Sequence, residues 1–179
     1  MKIIKVIKTI GFVLSFCAVL CACQEKPKPS YVENPLLQNL PIQQQQLLQK
    51  IAASRIVVIK EGMLFTFVIP TDCFFNREHR ELKESQKQYL LLLAQFINEY
   101  SSYFKTFQVS VTGYTDKVWL YPARQKLSKL YAEDIAATLR EGNVSVPMTV
   151  RGAGAKDPIA SNRYPNGTVY NRRVVVQLR

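Results

Sequence analysis

Asp116 closes the run Thr112-Gly113-Tyr114-Thr115-Asp116, at the point where one apolar segment ends and another begins. The chain carries 24 Lys+Arg against 13 Asp+Glu, so an acid held at the end of a buried segment calls for a cation, either the protein's own or a ligand's. The other chemistry-bearing residues read more plainly. His79 is the only histidine and has no Cys, His or paired acid at ligand spacing, so no metal site is expected. Ser128 has no base near it in sequence and reads as a helix-face residue, not a nucleophile. Gly152 and Gly154 lack the third glycine and the following helix of a dinucleotide fingerprint. Trp119 and Tyr121 precede a helix and read as a hydrophobic plug or contact patch. No catalytic constellation emerges; neither an enzyme nor a cofactor is expected.

The elements that must hold Asp116 follow from periodicity. "RIVVIKEGMLFTFVIP" predicts two strands turning at Glu61-Gly62, the second stopped by Pro70. Leu82, Tyr89, Leu92, Leu93, Phe96 and Ile97 recur at helical spacing, predicting a helix from about Glu81 to Tyr100. Phe107, Val109 and Val111 alternate with Thr106, Gln108, Ser110 and Thr112, the pattern of a half-buried strand. Pro122 suits the first turn of a second helix, which carries Leu127, Leu130, Tyr131, Ile135 and Leu139 and stops at Gly142. "VPMTVRG" predicts a further strand, residues 153–170 a long polar loop, and "NRRVVVQLR" the closing strand. Strands alternating with helices give an α+β domain, two helices packed on a mixed sheet.

The amino-terminal third is built differently. "MKIIKVIK" is basic, "TIGFVLSFCAVL" is an apolar core of a secretory signal, and the apolar stretch between Lys8 and Gln24 is too short for a comfortable membrane span. The ending Leu20-Cys21-Ala22-Cys23 resembles a bacterial lipobox, which implies acylation of Cys23 after removal of residues 1–22. Gln24 after it, by analogy with lipoprotein sorting, implies the outer membrane. The formal charge of +11 loses Lys2, Lys5 and Lys8 with the signal and stays basic at +8. Cys73 is then the one cysteine left unacylated, so no intramolecular disulfide is expected. Residues 24–40 hold three prolines and read as a tether, reaching on the order of 55 Å if extended. Residues 41–53 contain a Gln run, read as a solvated face or spacer, with Leu47, Leu48 and Ile51 on one face of a short helix. The expected organisation is a signal over 1–22, a lipidated tether with a short helix over 23–54, and a domain over 55–179.

Four segments of that domain resemble the OmpA C-terminal-like family, which includes Pal. They are "FTFVIPTDCFFNREHREL", "VSVTGYTD", "LSKLYAEDIAATL" and "RGAGAKDPIASNRYPNGTVYNRRVVVQL". The resemblance implies an OmpA-like βαβαβ sandwich in the periplasm that recognises the diaminopimelate of peptidoglycan stem peptides. Such a ligand offers an ammonium and carboxylates close together, so a site needs a carboxylate and a guanidinium. By resemblance Asp116 is the carboxylate, Arg172 supports the anionic end, and Glu78 matches the second acid of the first turn. The family's helix arginine falls on Tyr131, its preceding asparagine on Arg124, and its Gly-Ser on Trp119-Leu120. Arg124, near the start of that helix, could reach Asp116 and satisfy it as an internal ion pair. Length, short tether and altered motif resemble the small OmpA-like lipoprotein of Dot/Icm-type (type IVB) secretion systems. The partners this implies are the outer membrane through the lipid on Cys23, peptidoglycan, and other envelope or secretion-system proteins; no nucleic acid is expected.

Overall fold

The computed structural model describes residues 40–78, 80–118 and 120–179. The signal, Cys23, the tether to residue 39, His79 and Trp119 lie outside the described residues. Helix α1 spans Ile42–Ala53, followed by the hairpin β1 (Val57–Glu61) and β2 (Leu64–Pro70). Glu61 pairs with Leu64 across a two-residue turn whose Gly62 has φ 61°, the left-handed backbone such turns require. After β2 come the single-turn helix α2 (Thr71–Phe74), α3 (Glu84–Ser101), β3 (Val109–Tyr114) and α4 (Tyr121–Glu141). β4 (Met148–Gly152), α5 (Pro165–Asn171) and β5 (Arg173–Leu178) complete the chain.

The five strands form one mixed sheet in the order β1-β2-β5-β3-β4. β5, last in sequence, is inserted at the centre, antiparallel to both β2 and β3. β2 and β3 therefore run the same way and leave the sheet at the same edge. β4 pairs parallel with β3 through the α4 crossover. Phe65, Phe67 and Ile69 of β2, Val109 and Val111 of β3, and Val174, Val176 and Leu178 of β5 all point to one face and are buried. α3 and α4 cover that face with Leu93, Phe96, Ile97, Ile135 and Leu139. Phe65 meets Phe96 and Tyr100 edge-on, with ring centroids 5.0 and 4.9 Å apart. Truncating a fully buried phenylalanine such as Phe65 to alanine should cost about 3–5 kcal/mol.

Three local differences from the sequence reading have physical reasons. α3 begins at Glu84, three residues later than its periodicity suggests. Residues 75–82 are closed into a turn instead, with a Phe75–Leu82 bridge and the Asn76 N–H bonded to the Glu81 carbonyl at 2.8 Å. The polar loop after β4 contains α5, which the composition of Pro165-Asn166-Gly167-Thr168-Val169 conceals because Gly and β-branched residues are poor helix formers. In the Gln run, Gln44 is buried at 2% exposure, while Gln43 and Gln45 bond Glu99 and the Leu40 carbonyl. α1 presents Leu47, Leu48 and Ile51 to the hydrophobic core, so this helix packs into the domain.

α4 lies unusually close to the sheet. Gly113 and Gly152 are register partners on β3 and β4. A Cβ on Gly113 would stand 1.9 Å from the Ser128 carbonyl oxygen, and one on Gly152 would stand 2.5 Å from the Lys129 nitrogen. Both positions are glycine because the helix backbone rests on them. Ser128 welds the contact: its hydroxyl donates to the Gln125 carbonyl and accepts the Gly154 N–H, each at 2.9 Å. The serine is a buried structural residue, as its sequence context suggests. The weld fixes Tyr131, one turn further on, over Phe75 at a ring-centroid distance of 4.5 Å.

Candidate functional site

The sheet topology dictates where the charged side chains meet. Pro70, the last residue of β2, and Tyr114, the last of β3, both pair with Arg173 at the start of β5. Each strand then exits through the same dipeptide, Thr71-Asp72 from β2 and Thr115-Asp116 from β3. Arg172 precedes β5 and so stands between the two exits. Its Nε and Nη2 donate to Asp72 at 2.8 and 2.5 Å, a bidentate fork, and its Nη1 donates to Asp116 Oδ2 at 2.7 Å. Thr168 on α5 accepts a further bond from Nη1 at 3.3 Å. Arg77 adds a longer contact to Asp72 at 3.7 Å.

Burial grades this cluster. The Asp116 side chain is 4% exposed, Asp72 18% and Arg172 28%. Two carboxylates so close would repel if unpaired; one guanidinium between them turns the repulsion into a clamp. The bonds to Asp72, and then those to Asp116, raise the Arg172 pKa above its ordinary value, so it stays charged at any accessible pH. Asp116 Oδ1 accepts the Val118 N–H at 3.1 Å, which turns the chain toward α4. Burial pushes the Tyr131 phenol up, and Arg80, Asp72, Arg172 and Asp116 are near enough to act on it, which places it beside the cluster.

The loops around this edge are held by Asn171. It is 1% exposed; its Oδ1 accepts the N–H groups of Ile159 and Ala160, and its Nδ2 donates to Ala160 O and Asn162 Oδ1. Asn162 Oδ1 also accepts the Lys117 N–H, joining this loop to the Asp116 turn. Arg173 lies under the Tyr114 ring, 4.0 Å from its centroid, and donates to the Asp157 carbonyl. On the two joined loops and α5, Val118, Leu120, Tyr121, Tyr164 and Tyr170 are all more than half exposed, an apolar rim on polar loops.

Of the four candidate residues, the structure unites Asp116 and Arg172. Arg124 does not pair with Asp116. Arg172 occupies that place because β5 delivers it directly beside the β3 exit, whereas the backbone of Arg124 passes Gly154. Arg124 Nε is buried without a hydrogen-bond partner among the described residues. Glu78 lies on the exposed tip of the 75–82 turn, its N–H bonded to Asn76 Oδ1, and is not among the ligands of Arg172. Asp72 was missed by sequence reasoning. Its signal was the repetition of Thr-Asp after two apolar strands, which acquires meaning only when β5 is known to separate them.

The remaining polar groups differ between the exits. The Thr71 N–H and hydroxyl both donate to the Arg172 carbonyl, at 3.0 and 3.1 Å. The Thr115 hydroxyl, in a residue 4% exposed, finds no partner among the described residues. An unmatched buried hydroxyl costs free energy and marks a place where a ligand group can be received. Cation recognition by carboxylate and hydroxyl oxygens is the chemistry available at the β3 exit.

Residues 74–172 match the OmpA family. The Escherichia coli (strain K12) protein named Probable lipoprotein YiaD is 29% identical over 140 residues, 78% of this chain and 62% of its own length. Outer-membrane lipoprotein YfiB of Pseudomonas aeruginosa is 39% identical over 70 residues, 38% of this chain and 42% of its own. This chain thus spans less than two thirds of either relative. Among solved structures, the cell wall anchor of the type VI secretion system of Pseudomonas aeruginosa is similar at a TM-score of 0.63 and 26% identity, covering 74% of this chain and 93% of that one. The β3-α4-β4 unit, the Thr115-Asp116 exit and Asn171-Arg172 lie on the matched segment, and the chain belongs to the OmpA family.

Proposed function

We propose that this protein is a non-catalytic envelope lipoprotein, acylated at Cys23 and held at the outer membrane. Its OmpA-family domain stands in the periplasm and contacts peptidoglycan at the β3 exit, as a structural subunit of a larger secretion-type assembly. The observation that carries the wall contact is the buried Thr115–Asp116 pair with an unmatched hydroxyl and unused carboxylate lone pairs. An ammonium, such as that of a diaminopimelate side chain, is a donor of the matching kind. The second half of such a site is altered. Tyr131 offers one phenol where a guanidinium would bind a carboxylate in two places, and Arg172 is already engaged by two acids.

That imbalance favours a subunit over a free-standing Pal-like anchor, because a lone anchor depends wholly on its wall affinity. The likeness to a cell wall anchor of a secretion system supports the same reading. The test is sedimentation of the full chain, in detergent, with purified sacculi. Wild type should sediment and Asp116→Asn should remain in solution while keeping its circular dichroism. A wild type that stays in solution rejects wall contact; equal sedimentation of both removes Asp116 as the receptor. Crosslinking in cells followed by purification should recover envelope proteins in fixed stoichiometry, and recovery of a lone monomer would favour the anchor.

A further inference from the structure

A concavity lies beside Asp72, and Asp116 is not in its lining. It has a volume of about 410 Å³ and is lined by Arg55, Asp72, Cys73, Lys83, Gln86 and Tyr89, with the end of α1 as one wall. We propose that this pocket is a separate binding site for the terminal carboxylate of a short peptide, with Arg55 and Lys83 as its cationic receptors.

The charge balance comes first. Asp72 is the one acid in the lining, and its carboxylate is turned to the fork of Arg172. Arg55 and Lys83 form no ion pair among the described residues, so the pocket is left with two positive charges facing one engaged acid.

Lys83 is held in place, while Arg55 is exposed on the pocket wall. The Lys83 ammonium donates to the carbonyls of Asp72 and Cys73 at 3.2 and 3.0 Å, which leaves one of its three N–H groups for a ligand. Arg55 Nη1 rests 3.8 Å from Cys73 Sγ. Arg55 follows Ser54, the residue that ends α1, and has φ 74°, a conformation sparsely populated outside glycine. The turn out of α1 brings Arg55 to the pocket wall. The pre-ordered Lys83 loses little freedom on binding, which favours affinity.

The donor set selects the anion. A guanidinium and one ammonium N–H match a carboxylate. A phosphate dianion would need more donors than this pair offers. The amide of Gln86 and the phenol of Tyr89 then suit the peptide groups that precede a terminal carboxylate. Arg55 and α1 lie before residue 74, where the family match starts.

The experiment is ligand-observed NMR on the full chain in detergent, with three probes: N-acetylglycylglycine, its carboxamide, and inorganic phosphate. The acid should bind saturably in the millimolar range, the carboxamide and phosphate at least tenfold more weakly. Arg55→Asn removes the cation while keeping a residue that tolerates left-handed backbone, and should weaken the acid at least tenfold. Lys83→Met should do the same; if that variant unfolds by circular dichroism, Arg55→Asn decides. Asp116→Asn should leave binding unchanged, which separates this site from the proposed wall contact. No saturable binding of the acid, equal binding of the carboxamide or phosphate, or an unaffected Arg55→Asn variant would overturn the proposal.

Discussion

The two strand exits of this domain use the same dipeptide for opposite ends. At the β2 exit every polar group has a protein partner: Thr71 bonds the Arg172 carbonyl twice, and Asp72 takes both prongs of the Arg172 fork. At the β3 exit Asp116 shares the guanidinium through one oxygen, and the Thr115 hydroxyl has no partner among the described residues. Yet Asp116 is the more deeply buried of the two acids. A structure selected for stability alone would not bury the less satisfied member of a matched pair. The asymmetry separates a clamp, at β2, from a receptor, at β3.

Arg172→Ala tests the shared element and should have the largest effect. It leaves two acids facing one another and should cost about 3 kcal/mol in urea unfolding, toward the lower end for a buried pair because the guanidinium is partly exposed. A loss below about 1 kcal/mol would mean that solvent, not Arg172, satisfies both acids. Exchanging the acids one at a time comes next. Asp72→Asn weakens the bidentate fork and should destabilise by about 1–2 kcal/mol while leaving sacculus sedimentation intact. Asp116→Asn should abolish sedimentation. If both variants lose it equally, the two exits form a single receptor and the contrast fails.

The threonines give a smaller effect but differ in sign. Thr71→Val removes a bond that is made and should destabilise by about 1 kcal/mol. Thr115→Val removes a buried hydroxyl with no partner and should be neutral or stabilising by up to about 1 kcal/mol, with weaker sedimentation. Thermal unfolding of the two variants side by side would show it. Tyr131→Arg sharpens the functional half: a guanidinium beside the β3 exit should raise sacculus retention severalfold. No gain would mean that the rim at Leu120 and Tyr121 closes the approach.

Much of this was legible beforehand. A period-two run marked β3, and helical spacing marked α3 and α4, because burial on one face imposes those periods directly. Pro122 and Gly142 bracketed α4, for reasons local to the backbone. Asp116 stood out as an acid at a strand end, and Arg172 belonged to a motif. α5 stayed hidden because its residues disfavour helix and tertiary contacts hold it: Asn171 at its end is anchored by the 159–162 loop. Arg124, near the start of α4, was read as able to reach Asp116, but helix position says nothing about which strand lies alongside β3.

The division has one physical cause. Local sequence determined the elements, their faces and the charge surplus, since each follows from periodicity, capping chemistry and composition. Which charges meet was decided by pairing between distant strands. The register that sets both Pro70 and Tyr114 against Arg173 places Arg172 between two acids 100 and 56 residues away. Likewise, the packing of α1 alone brings Arg55 beside Cys73. A long-range register is a global free-energy minimum over all strand orders, and no window of the chain contains it.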